Sequence, residues 1–317
     1  MIRFILFFLV CNFVFSQSYY VYVASESDDT VSLLKFENNE INELERITVG
    51  TYPTEIEGPH GITVDPSGKF WYLSLAHGNP FGKLVKYSTE SNEVVDETTL
   101  GLFPASMQVS TTTGFLYCVN FNLHGSMKPS TVSVVDPVTM TEITTITTGS
   151  MPHGSRISPD GLYQYSVAMM SGELFEVDAL GLEVSRTLDL ESKMMKKDGM
   201  KSMDGMKSMD GMKSMDGMKH SMVKPTWVIP HPMKNLAYVA GNGSDEVIEV
   251  DLDAWEVSDR FKTGKGPYNL EISPDGKLLI GTIKSEGKTA IWNLEDKKLV
   301  GEIKNTTSVS HGIAISS

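Results

Sequence analysis

Apolar and polar side chains alternate along this chain in short runs. Thr131-Val132-Ser133-Val134-Val135-Asp136 and Glu246-Val247-Ile248-Glu249-Val250-Asp251 are two of them. A period of two sends successive side chains to opposite faces, which is the pattern of a half-buried β-strand. The stretch from Gly58 to Tyr72 reads as strand, turn, strand. Its turn is Asp65-Pro66-Ser67-Gly68, where proline presets φ and glycine accepts a positive φ.

That phrase repeats. It returns from Met151 to Tyr165 with the turn Ser158-Pro159-Asp160-Gly161, and from Gly266 to Ile280 with Ser273-Pro274-Asp275-Gly276. Looser copies begin at Pro104 and Pro225, and a final one has Ser310 in place of the proline. The repeat positions 59, 104, 152, 225, 267 and 310 are separated by 45, 48, 73, 42 and 43 residues. The interval of 73 holds an insertion, and removing it restores the period. Repeats of about 40–50 residues with four short strands each are the mark of a β-propeller. The pattern opens in mid-unit, at Tyr19 to Ala24, and closes with a lone first strand, His311 to Ile315. Joining these two halves predicts an all-β, six-bladed propeller of four-stranded antiparallel blades, with Ile313 pairing in the blade begun by Tyr20 to Val23. Such closure removes exposed sheet edges.

The units resemble the YVTN-type repeat family of exported bacterial propellers. Tyr117-Cys118-Val119-Asn120 and Tyr238-Val239-Ala240-Gly241-Asn242 resemble its second-strand phrase, and the Ser-Pro-Asp-Gly turns are shared with it. The likeness covers nearly all of the chain outside the insertion. A more distant resemblance extends to the propeller of nitrous oxide reductase, whose copper cluster is held by histidines on one face. These resemblances imply a propeller fold and leave function open, because propellers carry many unrelated chemistries.

The first residues change the compartment. Arg3 precedes an apolar run from Phe4 to Phe15, too short to span a bilayer, and Val14 and Ser16 precede Gln17 in the manner of a cleavage site. Residues 1–16 read as a signal peptide and 17–317 as the propeller, so the expected location is periplasmic or secreted. Cleavage leaves Cys118 as the one cysteine and excludes an internal disulfide. The formal net charge of −13 argues against nucleic acid and against anionic membranes. No other apolar segment is long enough to cross a membrane.

The insertion, residues 192–222, carries Lys-Ser-Met-Asp-Gly-Met three times in tandem, from Lys201, Lys207 and Lys213. Met194, Met195, Met200, Met203, Met206, Met209, Met212, Met215, Met218 and Met222 fall within it, and His220 sits near its end. A linker would favour Gly, Ser, Pro and charge, and glycine every six residues weakens a helix. Thioether sulfur is a soft, neutral ligand suited to Cu(I). The segment resembles the Met-rich stretches of bacterial periplasmic copper-handling proteins. Copper is therefore the expected metal, with Met200 to Met218, His220 and Met222 as ligands, and a periplasmic copper-handling protein is an expected partner. With almost no apolar residue besides Met, 193–220 is expected to be flexible without metal.

Histidines supply the second candidate ligand set. His60, His153 and His311 follow the repeat proline or its serine substitute, at the start of an innermost strand. His77 and His124 lie in loops joining strands two and three of neighbouring blades. Those loops and the inner-strand starts belong to one face, which the insertion also reaches, together with Met127, Met169 and Met170. His231 falls in a strand one–two turn on the opposite face. Other copies hold Ala105, Thr226 and Tyr268 after the proline, so the position is not uniformly structural. His60, His77, His124, His153 and His311 are thus expected to form a metal site.

The expected function is copper binding or delivery. A copper-dependent oxidoreductase on the same face and a metal-free interaction scaffold stand as alternatives. A calcium-dependent lactonase would need hard oxygen ligands at the channel, and no Asp, Glu or Asn set occupies the repeat starts. No Ser-His-Asp phrase, phosphate loop, CxxC pair or CxxCH haem site occurs in the sequence, so the reading leans away from an enzyme.

Overall fold

The structure is a computed structural model that describes residues 18–50, 55–77, 81–123, 125, 127–191, 220–306 and 311–315. Residues 1–17, His124 and the methionines from Met194 to Met218 lie outside these described residues. So do the proposed cleavage site and the expected flexibility of the insertion.

Six antiparallel sheets surround one channel. The first contains β1 (Tyr19–Ser25), β2 (Thr30–Glu37) and β3 (Glu40–Thr48). The second contains β4 (Pro59–Val64), β5 (Phe70–Leu75), β6 (Lys83–Ser88) and β7 (Val94–Thr99). The third holds β8 (Pro104–Val109), β9 (Leu116–Asn120), β10 (Pro129–Asp136) and β11 (Thr141–Ser150). The fourth holds β12 (Pro152–Ile157), β13 (Tyr163–Ala168), β14 (Glu173–Asp178) and β15 (Glu183–Asp189). The fifth is β16 (Pro225–Pro230), β17 (Leu236–Gly241), β18 (Glu246–Asp251) and β19 (Glu256–Lys262). The sixth is β20 (Pro267–Ile272), β21 (Leu278–Ile283), β22 (Lys288–Asn293) and β23 (Leu299–Lys304). The chain is a six-bladed β-propeller with almost no helix.

The first blade differs in its inner edge. Its ladder has three strands among the described residues, and 311–315 is not part of it. The segment nonetheless returns to the junction of the last and first blades. The His311 ring lies 4.8 Å from that of Tyr268 in β20, and Glu26 of the first blade acts on it electrostatically.

A single device recurs in the innermost strands. In β4, β8, β12, β16 and β20 the ladder register shifts directly after the opening proline. In β4, for example, Pro59 opposes Leu75 and Ile62 opposes Leu73, so His60 and Gly61 share one partner. Proline suits this place because it has no N–H to give to a ladder. The bulge bends the strand and re-aims the side chain that follows the proline.

Side chains then bind one blade to the next. Ser74 Oγ accepts from the N–H of Gly61 and donates to the carbonyl of Ala105 in the third blade. Ser106 Oγ donates to the carbonyl of His153 in the fourth, and Thr226 Oγ1 to that of Tyr268 in the sixth. On the opposite face Ser110 donates to the carbonyl of Gly161. His231 fills the equivalent turn position: Nε2 donates to the carbonyl of Gly276, while Nδ1 accepts from the N–H groups of Met233 and Lys234. Between blades the core is apolar and aromatic, as where Trp71 stacks on Tyr87 at 3.9 Å and on Tyr22 at 4.8 Å.

Candidate functional site

The residue after each repeat proline sits at one mouth of the channel, and the loops between second and third strands surround it. His60 and His153 come from β4 and β12, Tyr268 from β20, and His311 from the returning segment. His77 follows β5, Glu26 lies between β1 and β2, and Lys284 follows β21. Phe103 and Phe121 pack among the histidines. His60 and His77 meet Phe103 edge-on at 5.2 and 5.0 Å, and His153 meets Phe121 at 4.7 Å. The rings of His60 and His153 lie 6.1 Å apart, centre to centre.

Glu26 is shared by two histidines. Its Oε1 accepts from His77 Nε2 at 3.0 Å, and its Oε2 lies 3.3 Å from His60 Nδ1. The hydrogen bond from His60, with that ring's charge and the His77 bond, overcomes burial and holds the Glu26 carboxyl down at about 2. His77 is fixed by its backbone, since its N–H donates to the carbonyl of Glu57 at 2.9 Å. Gly58 has φ +65°, and a Cβ there would lie 1.9 Å from the His77 ring, so the loop requires glycine on both counts.

His153 has no nitrogen to spare. Nδ1 donates to the carbonyl of Thr226 at 2.8 Å, which leaves Nε2 of the neutral ring to accept from the Tyr268 hydroxyl, also at 2.8 Å. Burial, then the charge of His60, lowers its pKa to about 3, so it stays neutral. His311 is lowered to about 4 by burial and by the charges of Lys284 and His60, and its Nε2 is buried without a hydrogen-bond partner. Burial raises the Tyr268 hydroxyl and lowers Lys284, whose Nζ sits 4.4 Å over the Tyr268 ring.

Four of the five predicted histidines therefore meet at one mouth, and the fifth, His124, lies outside the described residues. His220 and Met222 are exposed at the edge of the same face. There Ser221 N–H donates to the Met170 carbonyl, and Met222 N–H to Glu191 Oε1. Among the described residues no group of three or more His, Cys, Asp or Glu side chains is already placed to hold a metal ion. Glu26, Tyr268 and Lys284 were not among the site residues expected from the sequence. The signal for them was positional: Glu26 and Lys284 occupy the loop that carries His77 in the second blade, and Tyr268 occupies the position of His60.

These features define a six-bladed propeller with a cluster of histidines at one mouth of its channel. Solved structures share the architecture. A hydrazine synthase chain from Kuenenia stuttgartiensis is similar with a TM-score of 0.63 and 17% identity, over 90% of this chain and 80% of that one. A functionally unknown protein from Desulfotomaculum acetoxidans is similar with a TM-score of 0.67 and 11% identity, over 96% and 90%. At such identities the likeness is one of fold. No protein-family model and no curated protein matches the chain.

Proposed function

We infer that this protein binds copper at the histidine mouth and collects it through the Met-rich insertion, as an exported, periplasmic or secreted protein. The observation that carries the reading is the convergence of His60, His77, His311 and Glu26 on one mouth, with the flanks of the insertion anchored on the same face. The donor set suits a borderline metal: imidazoles, one carboxylate, and thioethers nearby. His311 supplies the fit from the structure, because a buried ring nitrogen without a partner is costly unless something binds it. His153 is left out of this set, since both its nitrogens are engaged. It orients Tyr268 and supports the wall behind the site. Glu26 stands between His60 and His77 and must turn for both rings to reach one ion. A periplasmic copper-handling protein would be the donor or acceptor. A metal-free scaffold is the second reading, favoured by the pairing of Glu26 with both histidines, which satisfies the carboxylate without any ion.

Copper analysis of the exported protein separates the two. The chain lacking 192–222 should retain copper at the mouth, and replacing His60 and His311 together by Ala should remove it while the fold persists by circular dichroism. A deleted chain that takes up no copper, or a double variant that binds as its parent does, would leave the scaffold reading.

A further inference from the structure

The opposite end of the channel carries a different arrangement. The fifth residue of each inner strand faces this end, and in β8, β12, β16 and β20 these are Gln108, Arg156, Ile229 and Glu271. Together with Val109, Ile157 and Ile272 they line a cavity of about 330 Å³, large enough for a small organic molecule. Its wall is mostly aliphatic, with the hydroxyls of Thr111 and Ser158 beside three longer polar groups, Gln108, Arg156 and Glu271. Arg156 reaches from the fourth blade across the fifth, with its guanidinium 4.4 Å over the Trp227 ring, to place Nη2 2.5 Å from Glu271 Oε1 of the sixth. The two charged side chains are only 19% and 15% exposed. Gln108 accepts the N–H of Ile157 through Oε1, which turns its amide nitrogen away as a donor.

We propose that this cavity is a binding site for a small zwitterion with an aliphatic side chain, of the kind represented by leucine. The charges are complementary to such a ligand. Arg156 and Gln108 present donors to a carboxylate, and Glu271 presents an acceptor to an ammonium group beside them. The aliphatic wall takes the side chain. A ligand bearing both charges replaces the single bond between Arg156 and Glu271 with two charge-assisted ones. A ligand bearing one charge leaves either Arg156 or Glu271 without a counter-charge in a half-buried site, which is strongly unfavourable. The cavity therefore selects the zwitterion over either half of it. This site lies at the other end of the channel from the proposed copper site and does not depend on it.

Calorimetric titration of the full chain with L-leucine, 4-methylpentanoate and 3-methylbutylamine tests the proposal. Leucine should bind with its heat abolished in the R156M variant, and the two single-charge analogues should bind at least tenfold more weakly than leucine. Equal binding of an analogue, no binding of leucine at millimolar concentration, or unchanged leucine binding by R156M would overturn it. Should R156M fail to fold, the comparison of the three ligands on the unaltered chain decides alone.

Discussion

The two mouths of one channel are built on the same repeat and come out chemically opposed. At the first, the residue after the repeat proline is displaced by a bulge and meets loop residues from other blades, so polar side chains find partners by several routes. Glu26 bonds two histidines, His153 bonds a carbonyl and a phenol, and His311 keeps an unpartnered nitrogen. At the second, three strands beyond the bulge contribute Gln108, Arg156 and Glu271 from regular ladder positions, and a mostly aliphatic wall lies beside one ion pair. The lesson is that a repeat fixes where side chains emerge, while the substitutions at each position decide what they do. The first mouth gathers imidazoles around one carboxylate, and the second holds one matched pair of opposite charges.

The largest effect expected from breaking this contrast is at His153. Replacing it by Ala removes a buried ring packed on Phe121 and Tyr268 and leaves the Thr226 carbonyl and the Tyr268 hydroxyl without partners. Chemical denaturation should register a loss of ~3 kcal/mol. A loss below that of Arg156→Met would mean the first mouth is looser than its hydrogen bonds imply.

At the second mouth, Arg156→Met should cost about 2 kcal/mol, because Glu271 is left half-buried without its cation. Pairing it with Glu271→Leu should recover most of that loss, a coupling read by a double-mutant cycle. Simple additivity of the two changes would show that the charges act independently.

Acidification should act on the first mouth next. The pKa of His153 is lowered from 6.5 to about 3, so between these values the unfolded chain binds a proton that the folded one excludes. Its contribution to stability is full above pH 6.5 and is lost as pH falls toward 3, and the drop from pH 7 to 5.5 is about 1 kcal/mol. His311, lowered to about 4, adds to the same direction. Glu26, lowered to about 2 from 4.5, stabilises above pH 4.5 and gives that up as pH falls to 2. A stability profile that is flat from pH 7 to 5.5, or one unchanged by His153→Leu, would contradict the neutral buried histidine.

The smallest effect belongs to Glu26→Gln. The carboxylate is about a third exposed, so its ion pairs should contribute under ~1 kcal/mol to folding at neutral pH. Thermal melting of this variant should shift least of the set.

Much of the ring could be read without coordinates. The alternating runs, the Pro-Asp-Gly and Pro-Ser-Gly turns and the spacing of the repeat proline determine strands, hairpins and blades, because strand period and turn chemistry are local properties of the chain. They also determine that His60, His77 and His153 share a face, and that His231 does not. The tertiary structure decided the partners. His153 meets Tyr268 across 115 residues and Thr226 across 73, and Arg156 meets Glu271 across 115. Only closure of the ring brings those strands around one axis, so no local pattern could announce that one histidine is neutral and engaged while His311 is left with a bare nitrogen. In the first blade the ladder holds three strands among the described residues, and 311–315 reaches the junction of the last and first blades through its histidine.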